Sequence, residues 1–171
     1  MTKNIVLVGF MGTGKTAVGR RLAGRLGMEF IDTDDLVEEV TGMSISQLFK
    51  RYGEVRFRSE EELAVARAAA QKGVVIATGG GAVLSDESCR LLKENGVMVW
   101  LKADPDEIHA RVKRKGDRPL LSLDNSVEHI KELLAERMPY YRQADFTVET
   151  SGKELDHIVD EVVALVKDQV K

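Results

Sequence analysis

Residues 9–16 read GFMGTGKT and satisfy G-x-x-x-x-G-K-[ST] in full, directly after an apolar run and directly before a helical pattern. Glycines at 9, 12 and 14 let the chain curl until its N–H groups point inward, and the N-terminus of the following helix adds partial positive charge. A cradle of this kind, running through Gly12, Thr13, Gly14, Lys15, Thr16 and Ala17, suits a polyphosphate. Lys15 is expected to reach the β- and γ-phosphates, and the Thr16 hydroxyl to coordinate the magnesium that accompanies them.

Such a site normally draws help for its magnesium from an aspartate at the end of another strand. The apolar run VVIA at 74–77 ends instead in Thr78, followed by Gly79, Gly80 and Gly81, with no carboxylate. The nearest acids lie in IDTDD, where Asp32 and Asp34 are two apart and would project to one side if the chain stayed extended. On that reading Asp32 serves Mg2+ through a water, and Asp34 faces the phosphate acceptor, where a carboxylate orients hydroxyls or accepts a proton. The plainer alternative is an acidic cap opening a helix at Leu36. The glycine run needs its own reason: it permits unusual backbone angles, or it lets a ligand lie against bare main chain.

The elements that must position these residues follow a βαβ rhythm. Short apolar strands are expected at 4–9, 29–34, 73–78, 97–102 and 146–149, in the continuous runs that suit strands buried on both faces of a parallel sheet. Between them, Val18, Leu22 and Leu26 recur every four residues, as do Ile158, Val162 and Val166 in a last helix over about 154–170. Ser44 with Gln47 and Asp104 with Glu107 have capping-box spacing, and Pro105 suits the first helical position. A further helix is expected over about 54–71, ended by Gly73. Helices on both faces of a parallel sheet make a three-layer α/β domain, with sites collecting at the carboxyl ends of the strands. The segment KGDRPLLSLDN at 115–125 fits neither period and reads as a functional loop.

GFMGTGKT, IDTD, FRSEEE, ATGGGAV, RPLL and ERMPYYR occur in this order across essentially the whole chain, and together they resemble the shikimate kinase family. The resemblance implies a P-loop, nucleoside-monophosphate-kinase-like fold: a five-stranded parallel sheet in order 2-3-1-4-5, an acceptor-binding helical region at about 33–61 and a mobile lid at about 112–125, in one domain of residues 1–171. It implies transfer of the γ-phosphate of ATP to the 3-hydroxyl of shikimate, towards chorismate and the aromatic amino acids, with ATP and Mg2+ as cofactors. By motif, Asp34 would hold the ring hydroxyls, Arg58 and Arg137 would grip the carboxylate, and Gly79, Gly80 and Gly81 would line the same pocket. Glu61 resembles the acid that supports Arg58. Arg118 matches the lid arginine, a catalytic group together with Lys15 and Asp34. Arg114 resembles the arginine that stacks on adenine, with Arg111 as the alternative and residues near Ser151 on the opposite wall. A planar guanidinium fork is well matched to a carboxylate. Without the resemblance, Arg58 with Glu61 or Glu62 reads as an ordinary helical ion pair.

Composition narrows the rest. The 171 residues suit one domain, and 25 Lys and Arg interspersed with 28 Asp and Glu, net −3, argue against a nucleic-acid partner. The one cysteine, Cys89, reads as a buried thiol, and His109, His129 and His157 lack metal-site spacing. The opening MTKNIVLVGF enters a strand directly, and no apolar run is long enough to span a bilayer, so a cytoplasmic protein without a membrane partner is expected. The resemblance implies shikimate and ATP as its small-molecule partners, and a monomer is expected. Gluconate and nucleoside monophosphate kinases are the rivals within this fold. A GTPase switch would need N-K-x-D, and none is present.

Overall fold

Asn4–Val8 (β1) is buried along its whole length, and its side chains alternate between two separate cores. Val6 and Val8 face one, and Ile5 and Leu7 the other. The strand therefore lies at the centre of a layered molecule. The computed structural model describes residues 2–115 and 126–170, with the backbone alone for Arg114 and Lys115. β1 pairs in parallel with Val74–Ala77 (β3) on one side and Gly96–Lys102 (β4) on the other. Glu29–Asp32 (β2) and Phe146–Glu149 (β5) take the edges, giving the order β2-β3-β1-β4-β5 expected from the resemblance.

One face is covered by Lys15–Leu26 (α1) and Leu155–Val166 (α7), which bury Val18 and Leu22, and Ile158, Val162 and Val166, against Val75 and Val99. The opposite face carries Ile45–Ala69 (α3), Asp86–Glu94 (α4), Pro105–Lys115 (α5) and Val127–Tyr141 (α6). These helices pack Val65, Leu92, Ile108 and Ile130 around Ile76, Met98 and Trp100. Thr33–Thr41 (α2) stands beside α3 with a small core of Val37, Leu48, Phe57 and Ala64.

Several local expectations change. The helix expected from about 54 is preceded by another that starts at Ile45 behind a complete Ser44–Gln47 capping box. The two meet at Gly53, with φ 84° and ψ −179°, backbone angles that few side chains tolerate. The helix ends at Ala69 with Ala70 still in right-handed geometry, so Gly73 serves the turn into β3 instead of capping. At Pro105 the helix starts as expected, but the Asp104 N–H is bound by Ser151 Oγ at 2.7 Å, while Glu107 pairs with Arg111 at 2.5 Å, so the Asp104–Glu107 box is replaced by a longer-range tie. The last helix is shorter than expected, Leu155–Val166.

Two glycines of α1 separate helix propensity from packing. A Cβ on Gly24 would meet nothing within 4 Å, whereas one on Gly19 would lie 3.1 Å from Phe30 Cδ1 and 3.4 Å from Leu7 Cδ1. Gly24→Ala should therefore stabilise by about 0.5–1 kcal/mol, and Gly19→Ala should destabilise by about 1–2 kcal/mol through overpacking. Denaturant melts of the two variants check this contrast, and stabilisation by both would mean that the Phe30 ring yields freely.

Candidate active site

β1 and β3 are neighbours whose following loops form the two lips of a crevice at the carboxyl end of the sheet. The first lip is the glycine-rich loop, where Gly9, Gly12 and Gly14 adopt φ of 149°, 81° and 91°. Lys15 is buried, and its ammonium donates to the Gly9 and Phe10 carbonyls at 2.7 and 2.9 Å, so the charge sits at the root of the loop. Residues 11–18 line a cavity of about 390 Å³ together with Asp32, Asp34, Gly79, Gly80, Arg111 and Lys153.

Asp32 is placed by two demands. One carboxylate oxygen caps α2, accepting from the Asp34 and Asp35 N–H groups at 2.9 and 3.4 Å. The other accepts from Thr16 Oγ1 at 2.9 Å, so hydroxyl and carboxylate stand side by side at the cavity floor. The expectation of an extended Asp32–Asp34 pair is corrected here: the helix begins at Thr33, and Asp34 lies in its first turn. The capping reading and the magnesium reading nevertheless coexist, because a carboxylate has two oxygens. Asp32 also lies in register with Ala77 of β3, one strand away from the position where the missing strand-end carboxylate was sought. A hydroxyl and a carboxylate oxygen are hard donors that suit Mg2+, which needs only one or two protein ligands beside phosphate and water. Among the described residues no cluster of three or more metal-binding side chains exists, so a dedicated protein cage is absent there.

The second lip contains the three glycines, none of which has positive φ. Their value is space. A Cβ on Gly79 would lie 2.7 Å from Glu61 Oε2 and 2.9 Å from Asp34 Oδ1. On Gly80 it would lie 3.5 Å from Arg137 Nη1 and 3.2 Å from the Met11 N of the P-loop. On Gly81 it would overlap the Arg58 guanidinium, 2.6 Å from Cζ. Among the described residues, Glu61 Oε2, Arg137 Nη1 and Arg58 Nη2 are also the buried side-chain atoms that lack a hydrogen-bond partner. Each orphaned atom therefore abuts one glycine. Buried polar atoms without partners are costly and rare in folded proteins, so three together point to a ligand. Phe49, Phe57 and Ile45 supply the apolar side of this second pocket.

Arg58 and Glu61 form the expected helical ion pair at 2.8 Å, yet Glu61 is only 3% exposed. Glu54 lies 3.5 Å from Arg58 but faces solvent. Burial pushes the Glu61 carboxyl above its ordinary range, with Arg58 and then Arg137 pulling the other way. Residues that the sequence did not single out complete the wall: Thr33 Oγ1 accepts from the Gly79 N–H at 3.2 Å, and Tyr141 Oη donates to the Gly80 carbonyl at 2.6 Å. Their only sequence signal was membership of IDTD and ERMPYYR.

Of the two arginines considered for the nucleotide base, Arg111 is at the cavity, donating to the Gly12 carbonyl at 2.9 Å. The Arg114 side chain and Arg118 lie outside the described residues, as does most of the segment expected to be a lid. Opposite Arg111 stand Lys153, Leu155 and Ile158, while Ser151 itself is engaged with the Asp104 N–H. Cys89 is buried, as expected, with its thiol against the Val83 carbonyl at 3.3 Å.

A phosphate cradle with a magnesium-suited floor, joined to a small pocket lined by two arginines and two acids, defines a P-loop kinase acting on a small molecule. The family model for shikimate kinase matches residues 11–167. A shikimate kinase of Pelotomaculum thermopropionicum is 55% identical over 166 residues, covering 97% of this chain and 96% of that protein. The solved shikimate kinase from Acinetobacter baumannii in complex with shikimate is 36% identical and superposes with a TM-score of 0.93, covering 100% of this chain and 97% of the other. The one from Aquifex aeolicus gives 0.81 at 32% identity, covering 96% of each. The chain belongs to the shikimate kinase family. It is an ATP-dependent kinase that uses Mg2+, and the reaction is phosphorylation of shikimate.

The raised Glu61 carboxyl has a consequence for stability. The folded state favours the protonated acid relative to the unfolded chain, whose reference value is 4.5. That contribution is fully present below the unfolded value and is lost as pH rises through the raised folded value. Thermal unfolding between about pH 4 and 7 should show the wild type losing stability relative to Glu61→Gln as pH rises. A difference that stays flat with pH would mean that the arginines fully offset burial.

Proposed function

We propose that the two pockets divide the reaction between them, with the P-loop cavity holding ATP and the glycine-lined pocket holding shikimate by its carboxylate and ring hydroxyls. The observation that carries this assignment is the one-to-one meeting of Glu61, Arg137 and Arg58 with Gly79, Gly80 and Gly81. Arg58 Nη2 and Arg137 Nη1 are donors without partners, and a carboxylate brings acceptor oxygens for both. Asp34, against Gly79, takes the hydroxyl end. Gly12, Thr13, Gly14, Lys15, Thr16 and Ala17 hold the triphosphate, and Arg111 lies beside the base with Lys153 and Leu155 opposite. Thr16 and Asp32 hold Mg2+, which when bound neutralises charge on the phosphates.

In transfer, the bond from the γ-phosphorus to the bridging oxygen of ADP breaks as the 3-hydroxyl oxygen bonds to phosphorus, and Asp34 is the carboxylate placed to take the hydroxyl proton. Alignment and charge stabilisation by Lys15 supply most of the acceleration, because the loose transition state leaves little covalent work to the protein. Arg118, within the proposed lid at about 112–125, adds positive charge in the same scheme. The proposal places one domain over residues 1–171, with the acceptor region at about 33–61, acting in the cytoplasm as a monomer. Both pockets are built from one chain, and no described helix is long and apolar enough to cross a membrane.

ADP release measured with shikimate, gluconate and nucleoside monophosphates in turn tests the acceptor, with turnover expected for shikimate alone. Asp34→Ala should nearly abolish transfer while ATP affinity is retained, and near-normal turnover would remove Asp34 from the mechanism. Gly79→Ala, which drives a methyl into Asp34 and Glu61, should raise the shikimate KM by about tenfold or more with little change for ATP. Gly80→Ala should disturb both substrates, because its Cβ also presses on the P-loop at Met11.

A further inference from the structure

Among the described residues, the Arg137 guanidinium beside the glycine wall makes no ion pair, unlike that of Arg58. A long side chain used to grip an anion needs something else to fix its geometry. Phe10 supplies one constraint, with its ring 5.4 Å from the Arg137 Cζ. Tyr141 supplies the other. It is one turn further along α6, fully buried, and its hydroxyl donates to the Gly80 carbonyl at 2.6 Å. One hydrogen bond thus ties the helix that carries Arg137 to the middle glycine, beside which Arg137 Nη1 lies. The ring is held independently by stacking on Trp100, with centroids 5.6 Å apart.

We infer that the Tyr141 hydroxyl is a positioning group for acceptor binding, setting Arg137 and the Gly80 backbone at a fixed separation so that Arg137 Nη1 points into the pocket. The inference rests on the reading of Arg137 as a carboxylate grip. Burial pushes the phenol up to about 12, so it remains a neutral donor under ordinary assay conditions and the tie does not switch with pH. The arrangement needs the hydroxyl rather than the ring: phenylalanine would keep the Trp100 stack and the packing while releasing the Gly80 carbonyl, and with it the tie between the glycine wall and the helix carrying Arg137. The tie runs to the glycine wall and not to the P-loop, so the larger effect is expected on the acceptor.

Steady-state kinetics of Tyr141→Phe, Arg137→Met and the double variant, each assayed below its own melting temperature, test this. Tyr141→Phe should raise the shikimate KM several-fold, up to about tenfold, the size of one hydrogen bond. The ATP KM and kcat should stay within about twofold, a split that a general loosening of the fold would not produce. In the Arg137→Met background, Tyr141→Phe should add little, because the group it positions is gone. An unchanged shikimate KM in Tyr141→Phe, an equal rise for both substrates, or an undiminished effect in the double variant overturns the inference. If Arg137→Met itself leaves the shikimate KM unchanged, the carboxylate-grip reading fails instead.

Discussion

Three charged groups held out of water against three residues without side chains constrain most of this molecule. Glu61 and Arg58 reach the wall from α3 and occupy the space where a Cβ on Gly79 or Gly81 would have been, while Arg137 reaches it from α6 on the same side of the sheet and lies against Gly80. Burying charge is costly unless it is paired and hydrogen-bonded. Here the pairing is left incomplete, with one buried carboxylate between two arginines and three polar atoms unsatisfied. The fold can sustain this because the surrounding cores are dense and apolar, with Ile76, Val65, Met98 and Ile130 almost wholly excluded from solvent. Stability generated there supports a site that by itself opposes folding.

The P-loop side solves a different problem with fewer parts. Thr16 begins the first turn of α1 and Asp32 ends β2, and the hydrogen bond between them joins two segments that also flank the phosphate cradle. The same aspartate caps α2, so the contact with Thr16 and the helix that carries Asp34 share one carboxylate. Any shift of Asp32 moves both half-sites together. That economy explains why β3 can end in Thr78 and glycine: the neighbouring strand supplies the acid at the same level of the sheet, leaving β3 to supply space.

Much of this was legible in the sequence, and the limits follow from the kind of contact involved. The five strands could be placed to within about two residues because the central β1, β3 and β4, buried on both faces, require unbroken apolar runs, while the partly exposed edge strands β2 and β5 followed from the βαβ rhythm. The cradle was legible because its chemistry is local, with all its groups within eight residues. Asp32 and Asp34 both lie at the cavity, but their geometry was not legible, because an Asp that follows a strand can equally continue it or cap the next helix, and the cap prevailed. Thr33 and Tyr141 act through hydrogen bonds to residues 46 and 61 positions away, a distance over which spacing carries no signal. Arg111 and Arg114 are expected on one helix, and the contact of Arg111 with the Gly12 carbonyl emerges only once α5 is docked.

Charge balance connects the unfinished pairing to acceptor choice. At the glycine wall, Arg58 and Arg137 meet two acids, Glu61 and Asp34, and burial pushes the Glu61 carboxyl above its ordinary range. A carboxylic acid supplies acceptor oxygens for the two arginine donors that lack a hydrogen-bond partner among the described residues. A neutral sugar would leave a buried guanidinium unpaired, a failure that costs more than a lost contact because the site has already been desolvated. A nucleoside monophosphate would overshoot, since a phosphate monoester carries close to two negative charges near neutrality, and it would require space that a pocket walled by Phe49, Phe57 and the glycine run does not offer. Selectivity among acceptors of this fold can therefore arise from which charge the pocket lacks, with Asp34 reading the hydroxyls only after the carboxylate has been accommodated.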